Sequence, residues 1–314
     1  MGHWRKALGA AVALVLTGSA HAESPSARAQ PIIDMHRHTP WPGDSDVEGL
    51  GSIRAELRRH SVVSSALFIT GREDVAIYRS DDQSRLLLSP MFPCPALTAE
   101  RKWCFTETKG LMPDLAWLEE QLAAGALTGI GELVFNYAAV RPDDPAMASF
   151  WALAARYDVP AFVHSGCGPT AGQGPRRHPG CCLDYQSELG NPELLRPVLQ
   201  KYPGLRVVLQ HVGFDYMDET LALMRDFPNV YVDMSVLNSI GPRELHDAAL
   251  RRLMEAGYGN RIVLGSDDQA YGPIIERIES ASFLTAEQRR AIYYDNAARF
   301  LRLDAKTIAA DYGR

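Results

Sequence analysis

Six residues that can bind a metal ion stand at or near the ends of strand-like apolar runs. They are His36, His38, Glu132, His164, His211 and Asp267. A parallel barrel collects the carboxyl ends of its strands at one mouth, so these side chains would converge on one or two cations. Imidazoles and carboxylates suit a divalent ion such as zinc, which activates water for hydrolysis. The pattern therefore predicts a metal-dependent hydrolase.

The spacing of the first pair and the setting of Glu132 make the pattern more specific. In the motif Asp34-Met-His36-Arg-His38, residues two apart on a strand project to one face, so both imidazoles line the same side. Glu132 lies in the apolar segment 128–134, where an unpaired charge would be costly. A metal ion or a buried salt bridge with Arg or Lys would each compensate it. Asp268 is an alternative to its neighbour Asp267.

The elements that must position these residues are predicted by apolar runs and amphipathic patterns. Short runs rich in Val, Ile and Leu predict eight strands buried on both faces, at 31–36, 62–70, 85–92, 127–135, 159–164, 205–211, 229–235 and 261–267. Helical patterns lie between most of them, at 114–124, 145–157, 192–202, 243–256 and 285–301. The last begins with Thr285-Ala-Glu-Gln288, a capping box. We predict an α/β fold, a single (β/α)8 TIM-like barrel. A doubly wound sheet is the alternative, but no glycine-rich phosphate motif follows the first strand.

The first 22 residues have the layout of a secretory signal peptide. Arg5 and Lys6 precede an apolar run at 7–16, and Ala20-His21-Ala22 offers a small-residue cleavage site. An uncleaved anchor is the alternative, but the run is shorter than the roughly 20 residues that span a bilayer. We therefore predict export to a bacterial periplasm without a stable membrane anchor. The remaining divisions are a linker at 23–30, the barrel at 31–303 and a C-terminal tail at 304–314.

Export favours disulfides among the five cysteines, because thiols pair in an oxidising compartment. Cys94 and Cys104 bracket a short loop, and Cys167 has Cys181 and Cys182 as alternative partners. A metal site using Cys181 and Cys182 is the other interpretation, but no second cysteine pair or histidine cluster has zinc-finger spacing.

Composition limits the class of partner. The formal charge of -6 and the 22% charged residues provide no basic surface for nucleic acid. We expect a small-molecule substrate, and a homo-oligomer is compatible with the sequence.

Taken together, these residues resemble the amidohydrolase superfamily. The resemblance rests on the Asp34-x-His36-x-His38 motif, strand-end His164 and His211, the Gly265-Ser-Asp267 turn and the segment 296–301. Within the superfamily the chain is most similar, over 31–303, to the amidohydrolase-2 branch, which includes aminocarboxymuconate-semialdehyde decarboxylase-like proteins. The resemblance implies a distorted (β/α)8 barrel in which His36, His38, His164 and Asp267 hold a catalytic metal. It makes His211 a second-metal ligand or a catalytic group. Many single-metal decarboxylase-like members lack an acidic residue on the fourth strand, whereas two-metal relatives have a bridging carboxylated lysine or glutamate there, so Glu132 decides between one ion and two.

Two reactions and one non-catalytic role fit this metal set. The leading hypothesis is hydrolysis of an amide, lactone or related ester-like bond, with zinc as the expected ion in one or two copies. Asp267 would accept the proton of the attacking water, and His211 would stabilise charge on the substrate oxygen. Asp34 would orient a histidine or bond nearby backbone. Non-oxidative decarboxylation is the alternative, and a barrel that binds metal or ligand without turnover is the third.

Substrate contacts are expected from the loops that follow the strands. Arg176 and Arg177 lie in the long segment 166–183, Arg72 follows the second strand, and Tyr137 follows the fourth. Guanidinium groups bind carboxylates bidentately, so a carboxylate-bearing substrate is one option. Solvated or locally paired arginines are the other.

Overall fold

Eight parallel strands form the centre of the protein, in a computed structural model that describes residues 30–40, 49–79, 85–95, 103–166, 182 and 185–313. The strands are β1 (Ile32–His38), β2 (Val62–Ile69), β3 (Arg85–Pro90), β4 (Ile130–Leu133), β5 (Ala161–His164), β6 (Val207–Gln210), β7 (Val230–Asp233) and β8 (Ile262–Val263). Each strand lies within or close to a predicted run, and most strands are shorter than the run that predicted them. A two-stranded hairpin pairs Thr108–Lys109 with Met112–Pro113.

The strands close into a ring. One sheet has the order β1-β2-β3 and the other has the order β8-β7-β6-β5-β4. Parallel bridges join Asp34 to Leu264 and Phe92 to Leu133, which connects the two sheets at both edges. The backbone N–H of Met35 donates to the carbonyl oxygen of Leu264 at 2.8 Å. The predicted TIM-like barrel is confirmed.

Helices follow the strands along the chain. They are α1 (Leu50–Arg59), α2 (Glu73–Arg79), α3 (Leu115–Ala123), α4 (Phe135–Ala138), α5 (Ala148–Arg156), α6 (Arg196–Lys201), α7 (Met217–Asp226), α8 (Arg243–Glu255), α9 (Tyr271–Glu279), α10 (Ala286–Arg290), α11 (Asn296–Phe300) and α12 (Ala305–Tyr312). A π-helical turn, Ala291–Asp295, joins α10 to α11. Shorter 3₁₀ segments are Pro145–Met147, Ser187–Gly190, Pro192–Leu195, His211–Tyr216 and Gly259–Arg261. The capping box at Thr285 and Gln288 is present as predicted.

The core forms because the strands are apolar on both faces. All eight residues of β2 are buried, and so are all four residues of β4, β6 and β7. One face packs inside the ring and the other packs against helices, the arrangement expected of a parallel sheet. The strand ends are thereby held rigidly enough to position a site.

The end of the chain adds to the fold. Part of the segment expected to be a tail forms α12, whose buried Asp311 accepts two hydrogen bonds from Arg85 at 2.8 and 2.6 Å. Arg85 is the first residue of β3, so α12 is tied to the amino end of the barrel.

The expectation of disulfides is confirmed, and the structure pairs Cys94 with Cys104, whose Cα atoms are 5.6 Å apart. Cys182 is also disulfide-bonded, whereas Cys167 and Cys181 lie outside the described residues. The predicted signal peptide and most of the linker lie outside them as well. Among the residues described, no helix is long and apolar enough to cross a membrane.

Candidate metal centre

The structure brings all six predicted residues together at the carboxyl end of the barrel. His36 and His38 lie on β1, Glu132 on β4 and His164 at the end of β5. His211 directly follows β6, and Asp267 lies shortly after β8. These residues come from five separate strands, so only barrel closure makes them neighbours.

His36, His38 and Asp267 form one compact set of donor atoms. Asp267 Oδ1 lies 3.3 Å from His36 Nε2 and 3.2 Å from His38 Nε2. One carboxylate oxygen therefore faces both imidazoles of the predicted motif.

His36, Glu132 and His211 form a second set that shares His36 with the first. Glu132 Oε2 lies 3.4 Å from His38 Nε2 and 3.9 Å from His36 Nε2. Its other oxygen, Oε1, lies 3.7 Å from His211 Nε2. The two oxygens of Glu132 thus face different groups of imidazoles.

His164 lies beside the second set. Its Nδ1 is 2.9 Å from Glu132 Oε1 and 3.2 Å from His211 Nε2. Its Nε2 is buried and has no hydrogen-bond partner in the described structure.

The donor atoms fit a metal ion. Ligands about 2.1 Å from a tetrahedral zinc ion lie roughly 3.4 Å from one another. The distances from Asp267 Oδ1 and Glu132 Oε2 to the imidazole nitrogens of His36 and His38, 3.2 to 3.9 Å, surround that value. His36 Nε2 is buried and has no hydrogen-bond partner among the described residues. Buried polar atoms are normally paired, so this one indicates a ligand position.

The backbone turns sharply where two of these residues leave their strands. His211 and Asp267 have φ values of 61° and 50°, in the left-handed region that non-glycine residues rarely adopt. Such conformations cost about 1 to 3 kcal/mol each and cluster at functional sites. Here the turns direct both side chains back over the barrel mouth.

The electrostatics of the site are set by burial and by opposite charges. Burial alone would lower the pKa of His36, but the carboxylates of Asp267 and Asp233 outweigh it and hold this pKa well above its ordinary value. Burial would raise the pKa of Glu132, but His164 and His211 lower it well below its ordinary value. The carboxylate therefore stays ionised, as a ligand must.

Two residues in the site were missed by sequence reasoning. Asp233 Oδ2 lies 3.0 Å from His36 Nδ1, and Ser235 Oγ lies 2.9 Å from His211 Nδ1. Both are fully buried. A signal for Asp233 was available in the sequence: the apolar run Val230–Asp233 ends in an acidic residue, as the eighth predicted strand does at Asp267. Asp34, by contrast, accepts from the backbone N–H groups of His36 and Ser266 at 3.0 Å and from the hydroxyls of Ser266 and Tyr271 at 2.6 Å.

A cavity of about 180 Å³ opens above the donor atoms. Its described lining comprises His38, Met91, Trp103, Glu132, Val134, Tyr137, His164, His211 and Asp267. Tyr137 packs edge-on against the rings of His164 and Trp103, each with centroids 5.2 Å away. One wall is therefore aromatic, and Tyr137 lies where a substrate contact was predicted.

The predicted arginine contacts have a different outcome. Arg72 is exposed, and its guanidinium lies over the Trp117 ring, 5.0 Å from the centroid. It does not line the described part of the cavity. Arg176 and Arg177 lie outside the described residues.

Comparison with known proteins identifies a family and a fold. A family model described as Amidohydrolase matches residues 112–303. No curated protein matches the sequence.

Three solved structures share the fold. A putative 2-pyrone-4,6-dicarboxylic acid hydrolase from Pseudomonas putida has a TM-score of 0.60 and 17% identity, covering 87% of this chain and 97% of its own. 5-Carboxyvanillate decarboxylase from Sphingomonas paucimobilis has a TM-score of 0.56 and 16% identity, covering 87% and 99%. A zinc-bound amidohydrolase from Burkholderia multivorans has a TM-score of 0.58 and 17% identity, covering 87% and 100%.

Proposed function

Because the chain belongs to the amidohydrolase family, a family of metal-dependent hydrolases and decarboxylases, we propose that it hydrolyses an amide, lactone or related ester-like bond of a small molecule. The observation that carries this proposal is the position of Glu132, whose two oxygens face different imidazole groups. A carboxylate in that position suits two adjacent cations. Paired cations are a common arrangement in enzymes that cleave bonds with water.

The expected cofactor is zinc, in two copies. His36, His38 and Asp267 would hold one ion, His164 and His211 would help hold the other, and Glu132 would lie between them. A bound divalent ion lowers the pKa of water and polarises a carbonyl group.

Exposure favours Asp267 as the general base. Its side chain is 23% exposed to the cavity, whereas that of Glu132 is 3% exposed. A water molecule in the cavity can therefore reach the Asp267 carboxylate, which would take its proton and later deliver it to the leaving group. His211 has an alternative to the role of second-metal ligand, also named from the sequence: if it holds no ion, its imidazole would stabilise negative charge on the substrate oxygen.

Decarboxylation is the second candidate, favoured by the aromatic wall. Trp103 and Tyr137 meet at the cavity and would pack against a flat ring. The names of the putative pyrone-dicarboxylic acid hydrolase and the carboxyvanillate decarboxylase both refer to ring compounds that carry carboxylates. The described lining contains no Lys or Arg, so a substrate carboxylate would be bound by the ions or by Arg176 and Arg177.

Export to the periplasm remains part of the proposal. The disulfide between Cys94 and Cys104 supports it, because such bonds persist in oxidising compartments. Small molecules remain the proposed partners.

Metal analysis of the purified mature protein is the decisive experiment. We expect two ions per chain in the wild type and one in Glu132→Gln, and a wild type that cannot be loaded with metal would overturn the proposal. Lactones, N-acyl compounds and aromatic carboxylates should then be screened, with acid release and carbon dioxide followed separately. If carbon dioxide forms and no acid is released by hydrolysis of an amide or ester-like bond, the result would favour decarboxylation.

A further inference from the structure

Behind the donor atoms, Asp233 and Ser235 connect two histidines that come from different strands. Asp233 Oδ2 lies 3.0 Å from His36 Nδ1. Ser235 Oγ lies 2.9 Å from His211 Nδ1, 3.1 Å from His36 Nδ1 and 2.5 Å from Asp233 Oδ1. Ser235 thus contacts Nδ1 of both imidazoles, and Asp233 contacts Nδ1 of His36 and the Ser235 hydroxyl.

The number of protons available determines the direction of these hydrogen bonds. An ionised carboxylate only accepts, and a serine hydroxyl has one proton to donate. The short contact gives that proton to Asp233, so Ser235 Oγ must accept from His211 Nδ1. Asp233 Oδ2 can only accept from His36 Nδ1. Each ring therefore carries a proton on Nδ1.

The carboxylate is held so that it cannot turn away. Asp233 Oδ1 also accepts from the backbone N–H groups of His211 at 3.0 Å and of Ser235 at 2.9 Å. Asp233 and His36 are fully buried, so no bulk water competes for these contacts.

The backbone at Gly265 leaves room for the contact between Asp233 and His36. A Cβ atom added at Gly265 would lie 2.8 Å from the Asp233 carboxylate and 2.9 Å from His36 Cβ. Real Cβ atoms do not approach that closely, and the neighbour is a buried, fully bonded group. Glycine at 265 is thus required by the contact between Asp233 and His36.

We propose that Asp233 and Ser235 are positioning residues that hold His36 and His211 with the proton on Nδ1, so that both rings present an unprotonated Nε2 to the metal ions. The role in metal binding rests on the proposed function, whereas the hydrogen bonds of Asp233 and Ser235 do not depend on it. Groups that fix the tautomer of ligating histidines typically change metal affinity by about 10- to 100-fold.

The test measures zinc affinity and ring tautomers in Ser235→Ala and Asp233→Asn. We expect zinc binding to weaken by about 10- to 100-fold in each. Long-range ¹H–¹⁵N spectra, recorded on metal-free protein at alkaline pH, report which ring nitrogen is protonated. Ser235→Ala should release His211 from the Nδ1-protonated form, and Asp233→Asn should release both rings.

Two matched controls separate tautomer control from lost charge or lost packing. Asp34→Asn removes another buried carboxylate near His36 that contacts no imidazole among the described residues. Ser165→Ala removes another buried strand-end hydroxyl, whose hydrogen bonds in the described part of the chain all go to backbone. Both should leave the two rings protonated on Nδ1. Ser235→Ala removes a single oxygen and keeps the test available if Asp233→Asn does not fold.

The two proposals fail differently. Unchanged tautomers and zinc affinity in both test variants, relative to their controls, would overturn the positioning role and leave the hydrolase proposal intact. A wild type that binds no zinc would overturn the proposed function, while the spectra of the metal-free variants would still decide the tautomers.

Discussion

At the amino ends of three strands, arginines donate hydrogen bonds to oxygen atoms of the protein. At the carboxyl ends of the same barrel, imidazoles and carboxylates face one another around His36 Nε2, which has no hydrogen-bond partner among the described residues. Arg85 begins β3 and bonds Asp311, and Arg206 and Arg261 directly precede β6 and β8. Arg206 Nη1 donates to the carbonyl oxygen of Phe300 at 2.6 Å, and Arg261 Nη1 donates to that of Met224 at 2.7 Å.

The difference shows how the same barrel serves stability and chemistry. At the amino end, the hydrogen bonds of the arginines offset the free-energy cost of burying polar groups, and they attach the last helices to the barrel. At the carboxyl end, imidazole nitrogens and carboxylate oxygens converge, and both can donate an electron pair to a cation. A bound metal ion would therefore compensate their burial. Changes at the amino end should therefore alter folding, and changes at the carboxyl end should alter metal binding and turnover.

The largest expected effect is on catalysis at the carboxyl end. Asp267→Asn should lower kcat by about 10³-fold, because the amide cannot accept a proton from water. Its melting temperature without metal should stay close to that of the wild type. Steady-state kinetics and thermal unfolding of the same preparation check this, and full activity in the variant would contradict the role of Asp267.

Metal removal should be the next largest effect. A cation at a thousandfold excess over its dissociation constant stabilises the folded state by about 4 kcal/mol. Chelation should therefore lower the melting temperature of the wild type, and zinc should restore it. The shift should be smaller in Glu132→Gln and unchanged in Arg261→Lys, which alters only the amino end.

At the amino end, Asp311→Ala should destabilise the fold without changing the chemistry. We expect a loss of about 2 kcal/mol, less than for a fully buried ion pair because 29% of the Arg85 side chain is exposed. Urea unfolding measures the loss. Activity per folded molecule should equal that of the wild type, and a changed kcat would break the division between the two ends.

The two predicted substrate contacts differ in position and should differ in effect. Tyr137→Ala should raise KM roughly tenfold because it removes part of the cavity wall. Arg72→Ala is its matched control and should change KM by less than about twofold, since the guanidinium lies over Trp117. Equal effects on KM would show that the substrate extends beyond the cavity.

The smallest expected effect concerns His246, a buried histidine on α8 away from the metal centre. Burial lowers its pKa, although Asp247 opposes this, so the unfolded chain binds the proton more tightly. Stability should therefore fall as the pH drops below 6.5, by at most about 1.4 kcal/mol per pH unit from this group. Unfolding of His246→Gln between pH 7.5 and 5.5 should lack this component. An identical pH dependence would contradict it.

Much of the barrel could be predicted because its signals are local. Apolar runs without alternation identified the eight strands, and Thr285 with Gln288 identified the start of α10. The packing of α12 could not be predicted, because it depends on Arg85 and Asp311, which lie 226 positions apart.

By itself, the sequence determined which residues could supply metal donors and that parallel strands would bring them to one mouth, because both follow from residue type and strand position. Only the tertiary structure decided that the two oxygens of Glu132 face different imidazoles, that Asp233 and Ser235 contact His36 and His211 from behind, and that Arg72 lies away from the cavity. Side-chain direction depends on ring closure, left-handed turns and packing between distant segments. These are properties of the assembled barrel, and no local pattern contains them.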